Sequence, residues 1–323
     1  MTGLMRYGNR VAHWSGLVIL PSIAVRRPFA ASLVGVLLGV LSATATEPKA
    51  ETSPPSAAVP KEAAGTLVIV GGGGMPDAIR DRFLELAGGK KGRLVVIPTA
   101  SEVADTSHIY RSYSYWQTQG LASVSMLNTL DPKQANDPSF VKPLTEATAA
   151  WLGGGDQTRL ANAYRGTAVE RELRRLLARG GVIGGTSAGA SVMSSIMITG
   201  GNPRARVGEG FGLLPEVVID QHFQNRKRQK RLLGVLEKYP RCLGLGIDEQ
   251  TAVVVRGHTF TVMGKANVSV CMPPTARDED NVKLLKSGDA GDLVQLSRTV
   301  LARLKASADT KSSSAKENRA TVP

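Results

Sequence analysis

Four times between residues 65 and 190 a short apolar run ends in a glycine-rich or small-residue turn: GTLVIVGGG (65–73), GRLVVIPTAS (92–101), ATAAWLGGG (147–155) and GGVIGGTSAGA (180–190). Apolar runs of this length, without a polar face, suit strands buried on both sides, and the stretches between them carry helical patterning. Helices are predicted over 76–86, 105–119, 138–146, 156–164 and 168–180, with a further strand over 122–130. Strands that alternate with helices demand an α/β fold, in which a mostly parallel sheet is covered by helices on both faces. Ligands of such sheets bind at the carboxyl ends of the strands, where each of these turns lies. From about residue 207 the pattern changes. A basic helix is predicted over 225–238, and strand-like runs at 243–255, 259–264 and 267–272 are expected to form a mixed or antiparallel extension of the same sheet.

The folded domain is expected over 65–305. Before it, Arg26-Arg27 precedes the apolar run 29–45, which closes on Ala43-Thr44-Ala45. A basic segment, an apolar segment and a small-residue end describe a signal peptide spanning 1–45, so the mature chain is expected to be exported to a periplasmic or extracellular location. A retained membrane anchor is the alternative. Residues 46–64 lack apolar periodicity and read as a flexible linker, and the tail 306–323 reads as disordered.

The turn Gly185-Thr186-Ser187-Ala188-Gly189 keeps the Gly-x-Ser-x-Gly form directly after the apolar pair Val182-Ile183. With a helix predicted over 188–197, Ser187 falls at a sharp strand-to-helix turn. Small neighbours at 185 and 189 let chain and helix pass closely, the hydroxyl stands clear of the sheet, and the Ala188 N–H can point at a developing oxyanion. A phosphate-binding glycine turn is the competing reading, and GGGG at 71–74 could imitate one. Neither segment continues into Gly-Lys-Ser/Thr or opens as Gly-x-Gly-x-x-Gly.

A serine nucleophile needs a base, and the chain has 4 histidines. His13 lies in the leader, while His108 and His258 read as surface or loop residues. His222, at the end of the apolar run in VVIDQHFQNR (217–226), is where a strand would deliver a base. An orienting carboxylate is available in GLGIDEQTAVVV (244–255) from Asp248 or Glu249. Alternation along a strand lets one of the two face the site, and the pattern leaves the choice open.

A formal charge of +13, from 40 Lys and Arg against 27 Asp and Glu, raises nucleic acid as a partner. Aromatics at 5% and the lack of a stacking motif or zinc-finger spacing argue against it. Cys242 and Cys271 form neither a disulfide framework nor a metal site and read as buried thiols, with a single bridge between them as the alternative.

Taken together, GGTSAGAS (184–191), GGGDQ (153–157), VIDQHF (218–223) with the Arg-rich segment after it, and GIDEQTAVVV (246–255) resemble the cyanophycinases of serine peptidase family S51, relatives of the aspartyl dipeptidases. The resemblance covers about residues 65–275. It implies a three-layer α/β/α sandwich like that of class I glutamine amidotransferases, and an exopeptidase that splits cyanophycin, an arginine-bearing polyaspartate, into β-Asp-Arg dipeptides through an acyl-enzyme. It further implies Ser187 as nucleophile, His222 as base, Glu249 as orienting acid, and Ala188 with Gly154 and Gly155 as oxyanion hole. Gln157, Asp220, Gln221, Arg226, Arg228 and Arg231 would bind substrate, Asp220 facing its guanidinium. No metal or organic cofactor is implied, and a homodimer is the expected assembly. Two other functions are kept beside this one: an α-aspartyl dipeptidase, and a non-catalytic exported protein binding an anionic polymer.

Overall fold

The computed structural model describes residues 64–101, 107–275 and 281–320, with side chains omitted at 107–109 and 309–320. The expected leader, nearly all of the linker and the end of the tail lie outside these residues. Among the described residues no helix is long and apolar enough to cross a membrane.

The apolar runs form the strands expected of them. In chain order these are β1 (Thr66–Val70), α1 (Asp77–Leu86), β2 (Arg93–Ile97), α2 (Ser107–Gln117), β3 (Ser123–Met126), α3 (Pro138–Glu146), β4 (Ala149–Leu152), α4 (Gln157–Tyr164), α5 (Ala168–Ala178), β5 (Val182–Thr186) and the short α6 (Ala188–Ser191). There follow β6 (Ile196–Gly200), β7 (Arg206–Glu209), β8 (Val217–Gln221), α7 (Gln229–Lys238), β9 (Leu243–Ile247), β10 (Thr251–Arg256), β11 (Thr259–Gly264), β12 (Val268–Cys271), β13 (Val282–Leu285), β14 (Ala290–Asp292) and α8 (Leu293–Ala320).

An eight-stranded sheet runs in the order β14-β11-β10-β1-β5-β4-β2-β3. From β1 to β3 the strands are parallel, and β10, β11 and β14 add antiparallel strands beyond β1. Alternate residues of β1 enter different cores, as a twofold side-chain period requires. Val68 and Val70 pack with Phe83 of α1 and Trp116 of α2, whereas Leu67 and Ile69 join residues of α3, α4 and α5. Helices therefore cover both faces of this sheet, the three layers expected.

The C-terminal strands depart from the expectation of one extended sheet. While β10 and β11 do extend the main sheet, β8, β9, β12 and β13 build a second, four-stranded one. The run 243–255 that reads as one strand is two, β9 and β10, because the chain turns at 248–250 with Gln250 at φ 57°. One face of the small sheet joins the large core through Ile219, Leu245 and Val270, and the other packs on Leu232 and Leu236 of α7.

Three further elements differ from their sequence-based bounds. The helix expected over 188–197 stops at Ser191, since the carbonyls of Val192, Met193 and Ser194 accept from the N–H groups of Phe211, Leu214 and Gly212 and cannot continue a helical ladder. Helix α7 begins at Gln229, not 225, because Lys227 adopts φ 51°. Helix α8 runs on to Ala320 through a stretch with neither Gly nor Pro to stop it, so residues 306–320 of the tail expected to be disordered are helical. Cys242 and Cys271 are free and buried, and burial pushes their thiols up to about 11 and about 12.

Candidate active site

The carboxyl ends of β1, β4 and β5 bring three glycine-rich turns together, and the carboxyl ends of β8 and β9 meet them from the second sheet. Parallel pairing sets Gln221 beside Ile247, so the chain leaves the two strands at the same level and the next residues, His222 and Asp248-Glu249, emerge side by side. Register thus places a histidine and a carboxylate as neighbours although 27 residues separate His222 from Glu249.

Ser187 sits between β5 and α6 at φ 52° and ψ −109°, a conformation L-residues avoid and surrounding packing must enforce. Its N–H donates to the Val70 carbonyl at 3.0 Å, which ties the turn to the end of β1. Small residues are required beside it: a β-carbon on Gly185 would lie 2.5 Å from the Gly189 carbonyl oxygen, and one on Gly189 2.1 Å from that of Leu152. The Oγ of Ser187 is 2.9 Å from Nε2 of His222, and Nδ1 of His222 is 2.6 Å from Oε1 of Glu249. Glu249 is thus the carboxylate brought to the imidazole. Asp248 accepts instead from the backbone N–H groups of Gln224 and Asn267.

Burial pushes the His222 imidazole below its ordinary 6.5, and the cations of Arg226 and Arg228 add to this while the hydrogen bond to Glu249 opposes it. The ring is therefore neutral at neutral pH. An ionised Glu249 can only accept, so the ring proton belongs on Nδ1 and the Nε2 lone pair faces the serine hydroxyl. Such an arrangement can draw a proton from Ser187 as its oxygen attacks an electrophile.

Sequence reading missed the use made of Gly71-Gly72-Gly73. The Gly71 carbonyl accepts the His222 N–H at 2.8 Å and the Gly72 carbonyl accepts the Gln250 N–H at 2.8 Å, so one turn fixes the backbones of both segments. A β-carbon on Gly72 would intrude on the His222 ring and one on Gly73 on the Glu249 carboxylate. The run of glycines was the available signal, but it is equally the signal of a phosphate turn.

Gly154 lies beside Ser187, a β-carbon on it falling 3.5 Å from that of the serine. Among the described residues no backbone carbonyl accepts from the N–H of Ala188 or Gly154. Gly155 adopts φ 138° and passes so close to Ala100 that a β-carbon would stand 2.0 Å from its carbonyl oxygen.

The residues expected to bind substrate separate into two groups. Arg226 is exposed. Half-buried Arg228 donates to the backbone and side-chain oxygens of Gln221 at 2.6 and 2.5 Å, and burial takes its guanidinium down to about 10. The second group is sealed. Asp220, 1% exposed, receives both Nε and Nη2 of Arg231, itself 4% exposed, and Arg228 stands 3.5 Å away. Burial pushes the Asp220 carboxyl up, and the Arg231 hydrogen bonds and charge oppose this. Asp220 therefore does not face an incoming guanidinium as expected, because a guanidinium of the chain already occupies it. Gln157 is also buried and donates to the Ile198 carbonyl at 2.5 Å. Of the remaining histidines, His258 is paired with Asp292 at 3.0 Å, while His13 and the side chain of His108 lie outside the described residues. Among the described residues no group of three or more His, Cys, Asp or Glu could hold a metal ion.

A sequence model of Peptidase family S51 matches residues 67–263. Similar proteins include a cyanophycinase of Geminocystis herdmanii, 38% identical over 59% of this chain and 74% of that protein, and a cyanophycinase of Synechococcus elongatus, 34% identical over 62% of this chain and 66% of that one. The matches thus span about two thirds to three quarters of these relatives. A solved structure of a peptidase from an acI-B1 Actinobacterium superposes with a TM-score of 0.56 at 25% identity, covering 71% of this chain and 96% of that one.

Proposed function

The chain belongs to peptidase family S51, whose members are serine-type peptidases, and from that membership we propose that it hydrolyses cyanophycin to β-Asp-Arg dipeptides. The observation that carries the reading is the continuous chain of contacts from Ser187 Oγ to His222 Nε2 at 2.9 Å and from His222 Nδ1 to Glu249 Oε1 at 2.6 Å. The cyanophycinases among its relatives support the choice of substrate.

In this mechanism Ser187 Oγ attacks a carbonyl of the aspartate backbone while its proton passes to His222 Nε2. Glu249 stabilises the imidazolium that forms without taking the proton itself. The N–H groups of Ala188 and Gly154 receive the developing oxyanion, a contribution of about 3 kcal/mol per donor in comparable enzymes. His222 returns the proton to the leaving amine, and an ester of Ser187 remains. Water, deprotonated by the same imidazole, then releases the dipeptide and restores the serine. Arg226 and Arg228, whose charges are felt at His222, would engage substrate carboxylates, for which their planar fork is suited.

The test is dipeptide release from insoluble cyanophycin, followed by mass spectrometry, with Ser187→Ala in parallel. β-Asp-Arg from the unaltered protein and none from the variant is the expected result. Turnover of α-aspartyl dipeptides but not of the polymer would overturn the substrate assignment, and release by the Ser187 variant would overturn the nucleophile.

A further inference from the structure

Neither half of the His222–Glu249 pair sits inside regular structure. His222 lies just past β8 with φ 49°, and Glu249 stands on the three-residue connection from β9 to β10. Their 2.6 Å contact therefore depends on whatever holds these two loops against each other. Two side chains do so, each reaching from one loop to the backbone of the other. Asp248, 4% exposed, accepts the Gln224 N–H at 2.9 Å through Oδ1 and the Asn267 N–H at 3.3 Å through Oδ2. In return Asn225 accepts the Glu249 N–H at 3.1 Å through Oδ1. The Asp248 N–H also donates to the Asn267 carbonyl at 3.2 Å, which anchors the arrangement to the start of β12.

We infer that Asp248 and Asn225 are positioning residues forming a reciprocal clamp that sets the distance and orientation between His222 and Glu249. Asp248 directs both oxygens at backbone N–H groups and none at the imidazole. Asn225 carries no charge, so its effect on the pair is geometric. The inference rests on the reading of Ser187, His222 and Glu249 as the reacting groups.

Asn225→Ala removes one arm of the clamp at an exposed position, where the fold itself has little at stake. Asn225→Asp keeps the acceptor oxygen. The groups that act electrostatically on His222 are Glu249, Arg226, Arg228 and Asp220, and Asn225→Ala leaves all of them in place. Two readouts are taken: kcat and KM on cyanophycin, and the titration of the His222 imidazole by nitrogen-15 NMR. For Asn225→Ala kcat falls about tenfold with KM within about twofold, the signature of a group misplaced in the transition state. Its imidazole titrates at lower pH, because a loosened Glu249 no longer supports the protonated ring. Asn225→Asp recovers most of kcat. Asp248→Asn is expected to be more severe, and its urea midpoint separates misfolding from misplacement. Wild-type kcat and titration in Asn225→Ala would overturn the clamp, as would equal impairment of the Ala and Asp variants. Should the unaltered protein leave cyanophycin intact, the substrate reading fails while the imidazole titration still decides the clamp.

Discussion

Gly72 and His222 approach so closely that a β-carbon on the glycine would lie 2.3 Å from the imidazole Cε1 and 2.5 Å from Nε2. The glycine sits at φ 99°, so both its missing side chain and its backbone freedom are used. The turn after β1 acts as a wall that holds the ring toward Ser187.

Gly72→Ala should therefore displace the imidazole, and a shift near 1 Å at a reacting group costs about a hundredfold in rate. kcat is expected to fall by about that factor. Gly74→Ala serves as the comparison, because its φ of 92° is similarly strained for alanine but a β-carbon there meets nothing within 4 Å. Equal kcat losses in the two variants would trace the effect to backbone strain and remove the wall.

The depressed His222 pKa has a consequence for activity and another for stability. As a base the ring must be neutral, so kcat/KM should rise through a limb below pH 6.5 and level off above it. Because Arg226 helps to lower that value, Arg226→Gln should move the limb to higher pH. An unmoved limb would mean the Arg226 charge is not felt at the ring. For stability, the imidazole is neutral in both folded and unfolded chains above pH 6.5. Between the folded value and 6.5 the unfolded chain binds a proton that the folded chain does not, so this contribution is lost as pH falls through that window.

Asp220 and Arg231 form a buried ion pair, and breaking such a pair costs about 3–5 kcal/mol because one charge is left uncompensated. Asp220→Asn should lower the urea unfolding free energy by about that amount, whereas Arg226→Ala, at an exposed position, should change it by less than about 0.5 kcal/mol. A loss below about 1 kcal/mol for Asp220→Asn would show that the carboxyl is not ionised in the folded protein.

Local pattern carried far in the first half of the domain. β1, β2, β4 and β5 lie within the apolar runs that announce them, and α3 matches its expected bounds, because each unit is a strand, a turn and a helix whose signals are contiguous. It carried less far after residue 190. The helix beyond Ser187 ends early because the carbonyls of Val192, Met193 and Ser194 bond to residues from Phe211 onward, and no window of local sequence contains that competition. The pairing of Asp220 with Arg231 was equally hidden: an Asp beside an Arg-rich segment reads the same whether its oxygens face a ligand or a neighbouring helix.

By itself the sequence determined the parallel strand and helix alternation, the sharp turn that lifts Ser187 from the sheet, and His222 as the histidine at a strand end. These follow from periodicity and from the small side chains a tight turn demands, both local properties. Strand alternation left Asp248 and Glu249 open and the resemblance alone implied Glu249; the tertiary structure supplies the physical reason, with Glu249 at the imidazole and Asp248 on backbone N–H groups. Both follow β9 in the same loop, and what separates them is the pairing of β9 with β8, the turn that carries the chain into β10 beside β1, and the glycine wall from the end of β1. Those three elements are distant in the chain and meet only where the second sheet packs against the first, so the direction in which each carboxylate points is a property of packing.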